Sequence, residues 1–228
     1  MNEAGVAARR HADPIFEAAC AEGRSSLLEH EVYALLQRAG FEVPRHFFWE
    51  GTPGQIPRQL GDFLEGIGGD AAGDVILKIA SPDLAHKTDV GGLSLSKKSP
   101  ESVSVAARKI WEDVSRRAPD AERLGILVVE RLVPASGTPA AEALFSFKND
   151  VAFGPVLVFG LGGLLTEWYG QMAPGATTAI LRPTEVKQGL QLAVAKSPAL
   201  KIFFESSRAS AKAPLALEEV AARLESLS

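Results

Sequence analysis

Val75-Ile76-Leu77-Lys78-Ile79-Ala80-Ser81-Pro82-Asp83-Leu84-Ala85-His86-Lys87-Thr88-Asp89-Val90-Gly91-Gly92 is an apolar run with one lysine inside it, then a polar loop with one histidine, then a glycine pair. In a strand, successive side chains alternate faces, so Val75, Leu77 and Ile79 share one face while Ile76 and Lys78 share the other. A lysine there must reach water at a sheet edge or meet an anion, because a buried unpaired ammonium is costly. Gly91 and Gly92, lacking side chains, let an anion approach the backbone N–H groups of the loop. On the residues alone two readings stand side by side: a grip on a phosphate, or an edge lysine followed by an ordinary hairpin. Beyond the glycines, Leu93 and Leu95 alternate with Ser94 and Ser96, which predicts a second strand pairing antiparallel with the first.

Working outward, residues 1–22 are alanine-rich and mixed in charge, a frayed arm or a docking helix. Ser26-x-x-Glu29 has the form of a capping box, and Leu28, Val32, Leu35 and Leu36 recur on one helical face until Gly40 stops it. A Gly/Pro-rich stretch at 51–57 precedes a short helix near residues 60–64. Downstream, Ser99-Pro100 opens a helix with serine as cap and proline in the first turn, and Val103, Ala107, Ile110 and Val114 form its apolar stripe. Strands are predicted at 126–133, 142–147 and 156–159, a helix capped by Thr184 carries Val186, Leu190 and Val194, and a last helix carries Leu217, Val220, Leu224 and Leu227. Mixed helices and strands with hairpin-like neighbours point to an α+β fold.

Composition excludes some functions. With 228 residues and 46% apolar content, the chain can bury one sizeable core or two small ones. A formal charge of −4 offers no overall basic field for nucleic acid. The single cysteine, Cys20, permits no internal disulfide and fits a reducing compartment. No apolar run approaches the roughly 20 residues that span a bilayer, and the N-terminus has no signal-peptide core, so the expectation is a cytoplasmic protein without a membrane partner. His11, His30 and His46 lack metal-site spacing, and no serine sits in a nucleophile elbow.

The segment from Lys78 to Gly92 resembles the Lys-Ile-x-Ser-Pro-Asp-x-x-His-Lys-Ser/Thr-Asp-Val-Gly-Gly signature of the ATP-grasp domain in NDP-forming acyl-CoA synthetases, the ADP-forming acetate–CoA ligase type. The likeness extends from Gly23 to about the C-terminus. It takes in Gly23-Arg24-Ser25-Ser26-Leu27-Leu28-Glu29-His30-Glu31, Phe41-Glu42-Val43-Pro44, residues 142–150, Phe153-Gly154-Pro155-Val156, and Phe159-Gly160-Leu161-Gly162-Gly163 through Glu167. It implies an ATP-grasp fold of two α/β subdomains clasping a nucleotide, a small lid at about 23–125 and the remainder at 126–228. Residues 1–22 then form the N-terminal arm or docking segment.

The resemblance also implies roles. Lys78 contacts the α- and β-phosphates of ATP, and Gly91 and Gly92 line the loop over the triphosphate. Glu130 meets the adenine amino group or the ribose, unless it is an ion-pairing carboxylate at a strand end. Glu142 faces the nucleotide, or lies as a carboxylate on the rim. Gly160, Gly162 and Gly163 form an anion nest for phosphate or acyl phosphate, with Glu167 as an accessory, unless they are small strand-end residues without a ligand. In the family a histidine of the CoA-binding part takes phosphate from acyl phosphate, and the histidine of this loop passes it to ADP. His86 occupies that place, and a neutral imidazole is able to hold a phosphoryl group, with a surface or locally hydrogen-bonded histidine as the alternative. Asp89 orients the loop or sits beside a metal, with an Asx-turn as the alternative.

Departures from the pattern set further expectations. The family continues into a Glu-x-Asp-x-Asn-Pro strand and a Val-Asp-Ala segment that hold Mg²⁺, and this sequence ends at Ser228 before them, so the unit reads as C-terminally incomplete. Phosphoryl transfer leans on metal charge at the β- and γ-oxygens. Gln171 stands where the family often has aspartate, and Ala140-Ala141 replaces a typical Gly-Val. Nothing resembles the CoA-binding domain, so a CoA-binding ligase subunit or domain, with CoA and a carboxylic acid, is the implied partner. The function read from the sequence is an ATP-binding ligase part that relays phosphate through phosphohistidine. The alternative is a non-catalytic nucleotide-binding or assembly module without the metal strand.

Overall fold

Period-two burial builds the first sheet. The computed structural model describes residues 13–67, 73–132, 142–163, 169–171, 177–206 and 213–227. Within it, β2 (Asp74–Ala80) buries Val75, Leu77 and Ile79 completely, while Ile76 and Lys78 on the other face stay part-exposed. β3 (Leu93–Lys97) returns antiparallel, with Lys78 opposite Leu93 and Leu77 opposite Ser94. β1 (His46–Glu50) and β4 (Gly125–Glu130) complete four antiparallel strands in the order β1-β4-β2-β3. β4 runs between β1 and β2 and is buried from Gly125 to Val129, as a central strand should be.

One face of this sheet is closed by α3 (Arg58–Gly66) and α4 (Pro100–Arg117). Their Leu60, Leu64, Val103, Ala107, Ile110 and Val114 pack with Val75, Leu77, Ile79, Ile126 and Val128 in one cluster. α4 starts as its sequence requires: the Ser99 side chain accepts from the Ser102 N–H, Pro100 fills the first turn, and Arg116 and Arg117 sit at the C-terminal end. α1 (Pro14–Ala21) and α2 (Glu29–Arg38) belong to the same unit. Asp13 caps α1 and also binds Arg38 at the end of α2, so this part of the N-terminal segment is tied to the next helix.

The second unit has its own core. β5 (Ala143–Asp150), β6 (Gly154–Leu161) and β7 (Thr178–Leu181) form a three-stranded antiparallel sheet. Leu157, Phe159, Leu161, Ala179 and Leu181 pack on α5 (Val186–Lys196), α6 (Pro198–Phe204) and α7 (Leu217–Glu225). The chain divides into 1–38 with 42–132, and 39–41 with 133–228. This division falls after Leu132, whereas the sequence reading drew it at 125/126. The reason is pairing: β4 hydrogen-bonds to both β1 and β2 and cannot leave their sheet.

Two local expectations need correction. Ser26 does not cap α2. The helix begins at Glu29, and it is the Glu31 carboxylate that reaches back to the Leu28 N–H at 2.7 Å. Thr184 does not cap α5 either: it lies in a 3-10 turn, Pro183–Glu185, and α5 follows from Val186 with no side-chain cap. The end of the strand expected at 126–133, together with Ala140, Ala141 and Glu167, lies outside the described residues.

Candidate functional site

Lys78 leaves the core-free face of β2, and the first turn of α2 meets it there. Its Nζ donates to Glu29 Oε1 at 2.5 Å, and both side chains are about three-quarters covered, at 22% and 24% exposure. The same Glu29 oxygen accepts from the Tyr33 hydroxyl at 2.6 Å, one helical turn on. Tyr33 in turn leans on the His46 ring of β1, with centroids 4.9 Å apart. Burial alone pushes the Glu29 carboxyl up, yet hydrogen bonds from Lys78 and Tyr33 and the charges of Lys78 and Lys87 hold it below the usual carboxylate value. Burial, then the bond to Glu29, raises the Tyr33 phenol, so it stays a neutral donor.

The loop after β2 folds back onto its own strand. The Ile79 N–H donates to the Gly92 carbonyl at 2.7 Å, and the Gly92 N–H donates to the Lys87 carbonyl at 2.7 Å. The Gly91 N–H donates to Thr88 at 3.1 Å, and Asp89 N–H to His86 at 3.3 Å. The glycine amides are thus used inside the loop. Gly91 has a positive φ of 73°, and a Cβ on Gly92 would stand 2.6 Å from Ile79 Cγ2. Local geometry therefore asks for glycine at both places. His86 and Asp89 are exposed on this loop, and Lys87 is half-buried.

Glu130 does not join Lys78. Alternation along β4 sets Glu130 with Ile126 and Val128, opposite to Leu127, the residue paired with Lys78. Its Oε2 accepts from the Arg45 backbone N–H at 3.1 Å, a strand-end contact that the sequence pattern does not disclose. In the second unit, Glu142 and the glycine turn after β6 do come together. The Gly162 N–H donates to the Glu142 carbonyl at 2.6 Å, and the Glu142 carboxylate lies where a Gly163 side chain would be, 2.9 Å from its Cβ position. Gly163 has φ 73°, and Gly160 is pressed against Thr177 and Thr178 of the neighbouring strand. A carboxylate over this turn offsets its attraction for an anion.

The sequence reading missed Glu29 and Tyr33 as site residues. Their i, i+4 spacing was visible, but only the docking of α2 on the sheet brings them to Lys78. A separate concavity of about 420 Å³ is lined by Arg24, His30, Glu31, Phe48, Glu50 and Glu122 among others, and none of the expected site residues faces it. Among the described residues no group of three or more His, Cys, Asp or Glu is placed to hold a metal ion. Nor, among the described residues, is any helix long and apolar enough to cross a membrane.

Comparison with known proteins places these features in a family. A model described as an ATP-grasp domain matches residues 18–227. The beta subunits of ADP-forming acetate–CoA ligases II and I from Pyrococcus furiosus are 29% and 31% identical over 153 residues, covering 67% of this chain and 59% and 60% of theirs. The chain thus spans about 60% of the length of these curated relatives. Among solved structures, the dinucleotide-forming acetyl-coenzyme A synthetase 1 of Ca. Korarchaeum cryptofilum, in complex with coenzyme A and Ca-AMPCP, aligns with a TM-score of 0.69 at 28% identity, covering 94% of this chain and 83% of that one. The same protein with acetyl-coenzyme A and a phosphorylated phosphohistidine segment gives a TM-score of 0.65 at 27% identity, with the same shares covered. The match along nearly the whole length, on a fold shared with these enzymes, establishes that this chain belongs to the ATP-grasp domain family.

Proposed function

We propose that this chain is the nucleotide-binding part of an ADP-forming acid–CoA ligase, acting with a CoA-binding subunit or domain. The observation that carries the reading is Lys78, an ammonium fixed on the open face of β2. The same strand runs directly into a loop that exposes His86. A fixed cation stabilises charge on phosphate oxygens, which is most of what a protein contributes to phosphoryl transfer. The names of the relatives support the reaction class, and the phosphohistidine segment of the Korarchaeum enzyme supports the relay.

In this reading the partner's phosphohistidine delivers its phosphoryl group to an imidazole nitrogen of His86. One N–P bond breaks as another forms. The terminal phosphate oxygen of ADP then attacks the phosphorus, an O–P bond replaces the N–P bond, and neutral His86 is restored as ATP leaves. Lys78 holds the nucleotide phosphates and Asp89 shapes the loop. Glu130 acts from the end of β4 on the adenine or ribose. The remaining reactants, CoA and a carboxylic acid, belong to the partner.

The test mixes the chain with γ-labelled ATP and Mg²⁺, with and without a CoA-binding ligase subunit. Acid-labile label on the chain, lost in His86→Ala and strongly reduced in Lys78→Ala, is the expected result. Thermal stabilisation by ATP without any label, partner present, would make the chain a binding module. No stabilisation by ATP would end the nucleotide reading.

A further inference from the structure

A lysine on a half-open sheet face has four side-chain torsions to fix before it can meet a phosphate in one geometry, and the rotamer freedom lost with them weakens binding. In this fold part of that loss is already taken. Lys78 is held by Glu29 at 2.5 Å, Glu29 is held by Tyr33 at 2.6 Å, and Tyr33 rests on the His46 ring of β1. The series runs from one strand of the sheet, through the first turn of α2, back to another strand of the same sheet. An ammonium has three donors, and the contact with Glu29 uses one.

A carboxylate beside a phosphate-binding cation has two possible effects. It can neutralise the cation and repel the ligand, or it can aim the cation. The local charge favours aiming. Lys87 of the following loop adds its charge to that of Lys78 at Glu29, so Lys78 is not the only cation acting on this carboxylate.

We propose that Glu29, locked by Tyr33, is a positioning residue that presents the Lys78 ammonium to the phosphates of the nucleotide. This rests on the nucleotide reading above. The arrangement is like the strand lysine and helix glutamate of protein kinases, where an ion pair must be in place for the lysine to hold the α- and β-phosphates.

The experiment measures dissociation constants of the full chain for ATP, ADP and adenosine by calorimetry. Wild type is compared with Lys78→Ala, Glu29→Gln, Glu29→Asp, Tyr33→Phe and the Lys78→Ala/Glu29→Gln double variant. Glu29→Gln is expected to weaken ATP and ADP about tenfold, the size of freeing one long side chain, while adenosine is unchanged. Glu29→Asp recovers part of the loss, Tyr33→Phe shows a smaller one, and Glu29→Gln adds nothing once Lys78 is alanine. The contrast between ADP and adenosine separates positioning from a general structural defect, and Tyr33→Phe repeats the test without touching the ion pair. The proposal is overturned if Glu29→Gln tightens ADP, leaves it unchanged while Lys78→Ala weakens it, or weakens ADP and adenosine alike. Failure of wild type to bind ADP is a different result, which removes the nucleotide reading and this proposal together.

Discussion

Single residues in this chain are legible in type and opaque in partner. Lys78 had to find an anion or water, and it found Glu29. His30 had no marked role in the sequence, yet its ring stacks on Phe48 with centroids 4.1 Å apart, and its Nδ1 is buried with no hydrogen-bond partner among the described residues. Burial holds the imidazole below its ordinary 6.5, with Glu31 and Glu29 opposing the shift and His46 and Arg24 adding to it. The folded state therefore favours neutral His30. Its contribution to stability is complete above pH 6.5 and declines as pH falls from there towards the lowered value, because the unfolded chain takes up the proton first. Urea midpoints measured from pH 8 to 5 should fall in wild type and fall less in His30→Phe, which keeps the stacking. Parallel curves for the two proteins would contradict this.

At the scale of elements, caps and periods decide where the sequence can be trusted. α4 was readable at both ends because a serine, a proline and an apolar stripe all say the same thing, and the Ser99 hydroxyl takes the Ser102 N–H at 3.2 Å. Ser99→Ala should cost about 1 kcal/mol in urea unfolding, and Ser99→Asp should restore most of it. An unchanged midpoint would mean that water serves the helix end equally well. α2 was misplaced because two serine–glutamate and leucine–glutamate spacings compete at its start, and the loser, Ser26, is three residues upstream of the first helical turn. β1 and β7 were not foreseen. Strand β1 reads His-Phe-Phe-Trp-Glu without alternation, and β7 has only four residues, too few to show a period.

On the scale of the whole molecule, two hydrophobic clusters with no residue in common support two sheets. Leu77 is fully buried at the centre of the first, between the neighbouring strands and the α3–α4 layer. Leu77→Ala should destabilise by about 2–5 kcal/mol, and hydrogen exchange should show the loss first in peptides of β2, β4 and α4. Faster exchange confined to the 81–92 loop would argue against a shared core in that unit. The chain spans about 60% of the length of its curated relatives.

What the sequence by itself determined was the strand and loop around Lys78, the face on which Lys78 lies, the helix from Ser99, and the ATP-grasp family. These depend on interactions between near neighbours, alternation, capping and an ordered motif, which are local in the chain. Only the tertiary structure decided that Glu29 and Tyr33 reach Lys78, that Glu130 lies on the opposite face, that the loop amides of Gly91 and Gly92 are satisfied internally, and that Glu142 covers Gly163. Each of these is set by strand order and helix docking, and a contact such as Glu29 to Lys78 joins residues far apart in the chain whose meeting no periodicity encodes.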